Sequence, residues 1–327
     1  MVIEMKDNRT GINDEDVVLS IIIVNWNTEE LLRNCLASVF AEYDPSFMEV
    51  IVVDNGSDDN SCDIVMKDFP NVILQPNIQN VGFAAANNQG FEIAKGRFVL
   101  LLNSDTLVHG NVLKKSVEWL DARPDVAAMG CKVLNADGTT QLTCSQYPSI
   151  LNLILLTSGL WKAPWPRFFG KFQLRHWNRD CEKDVEVISG CYLLVRKEVI
   201  GSVGPLDEAF FFYGEETDWC RRIRDAGWRL VFAPVGKITH FGGGTVKKLH
   251  YRRDIMLSEA VVRLHKKHGN LLGAYAAYLI LLAFNSSRAL YWTISSTIKS
   301  HEHSKDRALH FRKVLRHSNE IWPETKL

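Results

Sequence analysis

The chain has 327 residues, 46% apolar and 23% charged, and its 38 Lys and Arg match its 38 Asp and Glu. Such a composition excludes a disordered chain, a collagen or a disulfide-stapled mini-protein, and the length suits one large domain or about two. The zero total hides an asymmetry: residues 1–246 carry 23 basic and 32 acidic side chains, whereas residues 247–317 carry 14 and 4. A neutral total argues against bulk nucleic-acid binding, and the late basic region points to an anionic partner.

In chain order, Met1 to Asp16 is polar and acidic, without an apolar signal segment, and reads as a flexible, unsecreted N-terminus. Val17–Val24 is a buried-strand run, and 29–40 places Leu31, Leu32, Cys35, Leu36, Val39 and Phe40 on one helical face. A strand at 50–53, a short helix, a strand at 72–74 and a helix at 83–94 follow. A strand at 98–102, a helix at 111–122 and a strand at 126–131 continue the alternation. Strands alternating with helices predict βαβ units and a mostly parallel sheet covered on both faces.

Residues 143–185 break this pattern with Trp161, Trp165, Trp177, Pro148, Pro164 and Pro166, and read as an irregular insertion. The three tryptophans are open to packing, to stacking on a ligand ring or to dipping into an interface. A strand is expected over 186–195, a helix over 215–226 closed by Gly227, and a strand over 229–233. Residues 251–268 form a basic amphipathic pattern. No charge occurs from Leu271 to Ser287, nor between Arg288 and Ile298, and basic residues flank both runs. Each run is shorter than the ~20 residues of a spanning helix, so a helix lying at a membrane surface is expected, with a core or dimer helix pair as the alternative.

Seven cysteines occur without a C-x-x-C pair, several in apolar stretches. They read as core thiols in a reducing compartment, with neither a disulfide framework nor a zinc site.

Polar clusters close three predicted strands: Asn25-Trp26-Asn27, Asp54 to Asp58, and Asn103-Ser104-Asp105. In open α/β sheets, ligands sit outside the carboxyl ends of the strands, so the three clusters converge on one crevice. No G-x-G-x-x-G follows the first strand and no P-loop motif occurs, which argues against dinucleotide and P-loop nucleotide binding. A phosphate-bearing ligand would then need a divalent metal, for which Asp105 is suited.

The ordered set SIIIVNWNT (20–28), VIVVDNGSDD (50–59), NVGFAAANNQG (80–90), FVLLLNSD (98–105), ISGCYLLVRKEV (188–199), GPLDEAFFFYGEETDWCRRIRDAGW (204–228) and ITHFGGGT (238–245) resembles the family 2 glycosyltransferases, most of all their rhamnosyltransferase-like members. The resemblance covers about residues 17–268. It implies a GT-A-type, Rossmann-like α/β domain over 17–246; the helical, basic C-terminal region over 247–327 is expected at a membrane surface from its own charge and apolar pattern.

By the same resemblance, Asn25, Asn27, Asp54, Asn55 and Ser57 contact the donor nucleotide, together with Asn80, Gly82 and Asn87. Asn103-Ser104-Asp105 stands where the family has D-x-D, with Asn in the first position, which shifts metal binding onto Asp105. His240 matches a further metal ligand for Mg2+ or Mn2+. Gly242-Gly243-Gly244 reads as a tightly turned loop beside it. Glu216 matches the catalytic base, Glu215 is the runner-up, and Asp218 supports structure through Arg222.

The implied reaction is inverting transfer of a sugar from a nucleotide-diphosphate sugar, dTDP-rhamnose favoured. The acceptor is a saccharide or polyprenyl-diphosphate-linked saccharide of a cell-surface polysaccharide, at the inner face of the cytoplasmic membrane. A homo-oligomer is possible, and no nucleic acid is expected. The alternatives are a UDP-sugar donor and a catalytically inactive transferase-like subunit of a membrane assembly complex. A nucleotidyltransferase is disfavoured because Asn25-Trp26-Asn27 replaces its Gly-rich loop.

Overall fold

The computed structural model describes residues 17–165, 167–242, 246–299 and 302–323. The expectations for residues 1–16 and for Gly243 and Gly244 lie outside them. In chain order the elements are β1 (Leu19–Asn25), α1 (Glu29–Phe40), β2 (Met48–Asp54), α2 (Ser61–Asp68), β3 (Val72–Pro76) and α3 (Phe83–Ile93). Next come β4 (Phe98–Asn103), β5 (Thr106–His109), α4 (Val112–Asp121), β6 (Val126–Leu134), α5 (Ile150–Thr157) and β7 (Lys183–Asp184). Then follow β8 (Tyr192–Arg196), α6 (Lys197–Val203), α7 (Glu215–Asp225), β9 (Arg229–His240), α8 (Val246–His268), α9 (Leu271–Lys299) and α10 (Glu302–Arg316).

The chain divides into two compact units, one built on residues up to 146, 177–211 and from 215 to 245, the other on 147–176, 212–214 and from 246 onward. The first unit holds the sheet, in the order β3-β2-β1-β4-β8-β6-β9-β5, with β7 paired to β9. The expected parallel, two-sided sheet is its N-terminal half: β3, β2, β1 and β4 are mutually parallel. Ile21, Ile22 and Ile23 have no exposed surface, because helices cover both faces. Beyond β4 the sheet is mixed, since β8 enters antiparallel to β4 and to β6.

Several elements differ from the sequence reading. In place of the expected 186–195 strand only Tyr192–Arg196 is a strand, because the chain turns at Gly190 and Cys191 after Val187 bridges Ser145. The strand starting at Arg229 runs on to His240 through Pro234 and Gly236. A side chain at Gly236 would meet Val112 at 2.6 Å, so glycine permits the close passage over α4. The four residues of β5, too short for a periodic signal, pair with the end of β9.

In the second unit, α5 joins the three C-terminal helices. Leu153 of α5 shares a buried cluster with Ile255, Val262, Ala274, Ala277, Leu281 and Val314. Residues 147–176, the middle of the irregular stretch, therefore group with the C-terminal helices, while Trp177 returns to the sheet unit and packs edge-on against Phe232. The helix α9 runs unbroken through Asn285, Ser286, Ser287 and Arg288, with Asn285 buried. Among the described residues, no helix is long and apolar enough to cross a membrane.

Candidate active site

The carboxyl ends of β1, β2 and β4 meet in register: Asn25 lies opposite Asp54, and Val24 opposite Asn103. Asn25 Nδ2 donates to Asp54 Oδ2 at 2.9 Å. The same carboxylate accepts from Ser57 N at 2.8 Å and Ser57 Oγ at 2.7 Å, which closes the turn after β2. Asn27, at φ 53°, reaches across this turn: its N–H donates to Ser57 Oγ and its Oδ1 accepts from Asp58 N. Thr28 precedes α1 yet makes no capping bond. Its hydroxyl instead donates to Asn25 Oδ1 at 2.6 Å and lies 3.0 Å from Ser104 Oγ, tying the first strand end to the third. The cap it forgoes comes from Asp59, which accepts from Glu29 N.

Asn55 braces the next loop. Its Nδ2 donates to Asn80 Oδ1 at 2.9 Å and Gly82 O at 3.1 Å, and its Oδ1 accepts from Val81 N. Of the residues read as donor contacts, Asn25, Asp54 and Asn55 are at most 2% exposed and are spent on one another's loops. Asn27, Ser57, Asn80, Asn103 and Asp105 keep accessible surface. Asn87 is turned away, 1% exposed, with its amide donating to Phe83 O one helical turn back.

At the third strand end, His240 closes β9 opposite Thr106, and Phe241 N donates to Asp105 O at 3.0 Å. The ring Nε2 of His240 lies 3.1 Å from Asp105 Oδ1 and 3.3 Å from Asn103 Nδ2, and its Nδ1 lies 2.8 Å from Gln141 Oε1. Asn103, Asp105 and His240, far apart in sequence, thus share one corner.

The start of α7 forms the opposite wall. Asn88 in α3 grips the preceding segment, donating to Leu206 O and Glu208 and accepting from Leu206 N. Phe211 O then accepts from Phe83 N at 2.8 Å. Gly82, at φ 94°, makes this approach possible, since a side chain there would meet Phe211 O at 2.7 Å. Burial pushes the Glu215 carboxyl well above the usual carboxylate range, and the neighbouring Glu216 charge adds to it. Glu216 is half-buried. Burial lifts the Cys191 thiol to about 12, and Asp105 and Glu216 both push the same way. Asn103 N donates to Cys191 O at 3.3 Å, and a side chain at Gly190 would come within 4.0 Å of Glu216 Cβ, so the loop before β8 lies between the Asn103 strand end and α7. Asp218, fully buried, accepts from Arg222 Nε at 2.8 Å and holds the helix rather than the site.

The family model described as Glycosyl transferase family 2 matches residues 20–203, more than half of the chain. The chain belongs to glycosyl transferase family 2. The transferase is 27% identical over 237 residues to the N-acetylglucosaminyl-diphospho-decaprenol L-rhamnosyltransferase of Mycobacterium tuberculosis, covering 68% of this chain and 76% of that one. It is also 27% identical over 232 residues to the O-antigen biosynthesis protein RfbC of Myxococcus xanthus, covering 68% of this chain and 17% of that much longer one. Its fold matches the mannosyltransferase PcManGT from Pyrobaculum calidifontis, solved with GDP-Man and Mn2+, at TM-score 0.54 and 16% identity, over 93% of this chain and 85% of that one. The fold is that of the GT-A glycosyltransferases.

Several residues of the candidate site were not singled out from the sequence. Thr28 and Asn88 lie within matched segments (20–28 and 80–90) without a role assigned to them, and Gln141 lies between the strand at 126–131 and the irregular stretch that begins at 143. Among the described residues no three His, Cys, Asp or Glu side chains converge as a metal cage. The Asp105–His240 pair nonetheless fits a hard divalent ion that takes its remaining ligands from phosphate oxygens and water. All seven cysteines of the transferase are free thiols, and burial pushes those of Cys35, Cys144, Cys191 and Cys220 up to about 12, which makes them inert core residues.

Proposed function

We propose that the transferase moves a sugar, rhamnose favoured, from a nucleoside-diphosphate sugar to a hydroxyl of a saccharide or polyprenyl-diphosphate-linked saccharide, with inversion. The observation that carries this reading is the corner of Asn103, Asp105 and His240 beside the Asn25–Asp54–Ser57 turn. The turn forms the base and ribose side, through the accessible Asn27 and Ser57. The corner forms the diphosphate side. Asp105 and His240 would hold Mg2+ or Mn2+, which supplies charge neutralisation for the leaving diphosphate. Asn103 offers its amide to a ribose hydroxyl. The rhamnosyl assignment is supported by the mycobacterial relative's activity, and the metal by the Mn2+ of the fold relative.

Sugar transfer builds oxocarbenium character at the anomeric carbon, and the attacking hydroxyl must lose a proton. Glu216 is the base in this reading. It is half-buried, whereas Glu215 is buried and its carboxyl is pushed well above the usual range by that burial. One base and no covalent nucleophile give a single displacement with inversion. A peripheral place at the inner face of the cytoplasmic membrane is supported by the helical unit, whose exposed Leu272, Leu279 and Leu290 accompany the basic excess of residues 247–317.

Calorimetric titration of the full chain with dTDP and UDP, each with and without Mn2+, tests the proposal. Metal-dependent binding that favours dTDP, lost in Asp105→Ala, is the expected result. Preference for UDP discards rhamnose, and no binding by folded protein overturns the reading.

A further inference from the structure

We infer that Gln141 is a positioning residue that fixes the tautomer of His240, through a one-way chain of hydrogen bonds starting at Asp137. The inference rests on the reading of Asp105 and His240 as a metal-binding pair. The chain of bonds lies in the turn after β6. There Asn135 N donates to Thr139 O, Gly138 N donates to Asn135 O, and Gln141 N donates back to Val133 O.

A carboxylate can only accept, so Asp137 gives the chain its direction. It accepts from Thr139 Oγ1 at 2.6 Å and Thr139 N at 3.0 Å, and these bonds hold its carboxyl below the usual range. The Thr139 hydroxyl has then spent its proton, and it accepts from Asn135 Nδ2 at 2.9 Å. That orients the Asn135 amide, whose Oδ1 accepts from Gln141 Nε2 at 2.9 Å. Gln141 therefore presents its oxygen, not its nitrogen, to His240 Nδ1 at 2.8 Å. An amide oxygen cannot donate, so Nδ1 carries a proton, and in the neutral ring Nε2 keeps its lone pair.

That lone pair is what a metal needs. Nε2 faces Asp105 Oδ1 at 3.1 Å, with the Asn103 amide nitrogen 3.3 Å away. Two electron-rich atoms held face to face repel unless a cation lies between them. In the opposite tautomer, Nε2–H would donate to Asp105 and close the pair against any ion. The relay holds the pair open, as outer hydrogen bonds orient metal-bound histidines generally.

The test uses the full chain, 15N-labelled and metal-free at pH 8, with long-range 1H–15N correlation of the imidazole rings. His240→Asn identifies the ring by its missing signals. The expected pattern is Nδ1–H in the wild type and Nε2–H in Gln141→Leu. Mn2+ affinity with dTDP, read by electron paramagnetic resonance, should fall about 10–100-fold in Gln141→Leu. Gln141→Glu keeps an acceptor opposite Nδ1 and should retain both the tautomer and the affinity. Asn135→Leu, which leaves Gln141 in place but frees its amide to turn, should give a mixture of tautomers and serves if Gln141→Leu does not fold. An Nε2–H wild type overturns the inference. So does an unchanged tautomer in Gln141→Leu, or an unchanged one in Asn135→Leu where Gln141→Leu cannot be read. A tautomer that switches as expected in a protein that binds no Mn2+ upholds the relay and overturns the metal reading instead.

Discussion

Asn25 and Asp54 are the last register pair of β1 and β2, and the amide of the first donates to the carboxylate of the second at 2.9 Å. With both side chains at most 2% exposed, the bond is structural before it is chemical. Asp54→Asn removes the charge on which Asn25 and Ser57 converge, and should cost about 1.5–3 kcal/mol of stability. Urea denaturation measures this directly. Nucleotide affinity should fall with it, because the loosened turn carries Asn27 and Ser57.

Gly82→Ala tests how the α7 wall is held. The glycine sits at φ 94°, and a methyl group would meet Phe211 O at 2.7 Å. The strain should cost about 1–3 kcal/mol and displace the segment leading to Glu215. Turnover should fall more than nucleotide binding, since the Asn25–Asp54–Ser57 turn is closed by its own bonds rather than through Phe211. Wild-type turnover in this variant would show that the contact is idle.

The two glutamates at the start of α7 should separate by kinetics and by pH. Glu216→Gln should abolish turnover while leaving nucleotide affinity within about twofold, as expected for loss of a general base. Glu215 behaves differently because its folded-state carboxyl titrates above its unfolded one. Stability from that group is fully present below the ordinary carboxylate range and is lost as pH rises through the raised value. Glu215→Gln should therefore melt higher than wild type at pH 8, with the gap closing toward pH 4. Each kcal/mol relieved is worth about 2–4 °C in a domain of this size. A gap that does not depend on pH would contradict a Glu215 carboxyl raised by burial.

Asp218→Ala removes the partner of Arg222. The carboxylate is fully buried, so the cost should be about 3 kcal/mol. Arg222 retains bonds to Val203 O and Pro205 O, which keeps the loss at the lower end of what a broken buried pair costs. Thermal melting reads the loss, and the protein that remains folded should turn over normally.

The outer face of α9 gives a surface prediction. Leu272, Leu279 and Leu290 lie within about 20° of one line along roughly 27 Å of helix, and all three are exposed. Replacing them together with serine should weaken co-sedimentation with vesicles containing anionic lipid by about tenfold or more. Melting temperature should stay unchanged, because none belongs to the buried cluster around Leu281. Equal vesicle binding by variant and wild type would exclude this face as the docking surface.

Much of this protein was legible in its order of residues. The apolar runs of β1, β2 and β4 announce buried strands, and the polar residues that end them announce the crevice, because a parallel sheet leaves its carboxyl ends open. The Asp218–Arg222 pair follows from helical spacing alone. Other features left no local trace. The four residues of β5 are too few to show a period, and Gly190 cuts short a strand that its neighbours' propensities favour.

The sequence by itself determined that β1, β2 and β4 form and which polar groups sit at their ends, since both depend on neighbours in the chain. Only the tertiary structure decided what those groups do. It spent Asn25, Asp54 and Asn55 on holding loops, turned Asn87 back onto its own helix, and buried Glu215 beside Glu216. It also carried Gln141 to His240 and His240 to Asp105. Burial and long-range hydrogen bonding are properties of the packed whole, and they assign a role to each polar side chain that its own stretch of sequence leaves open.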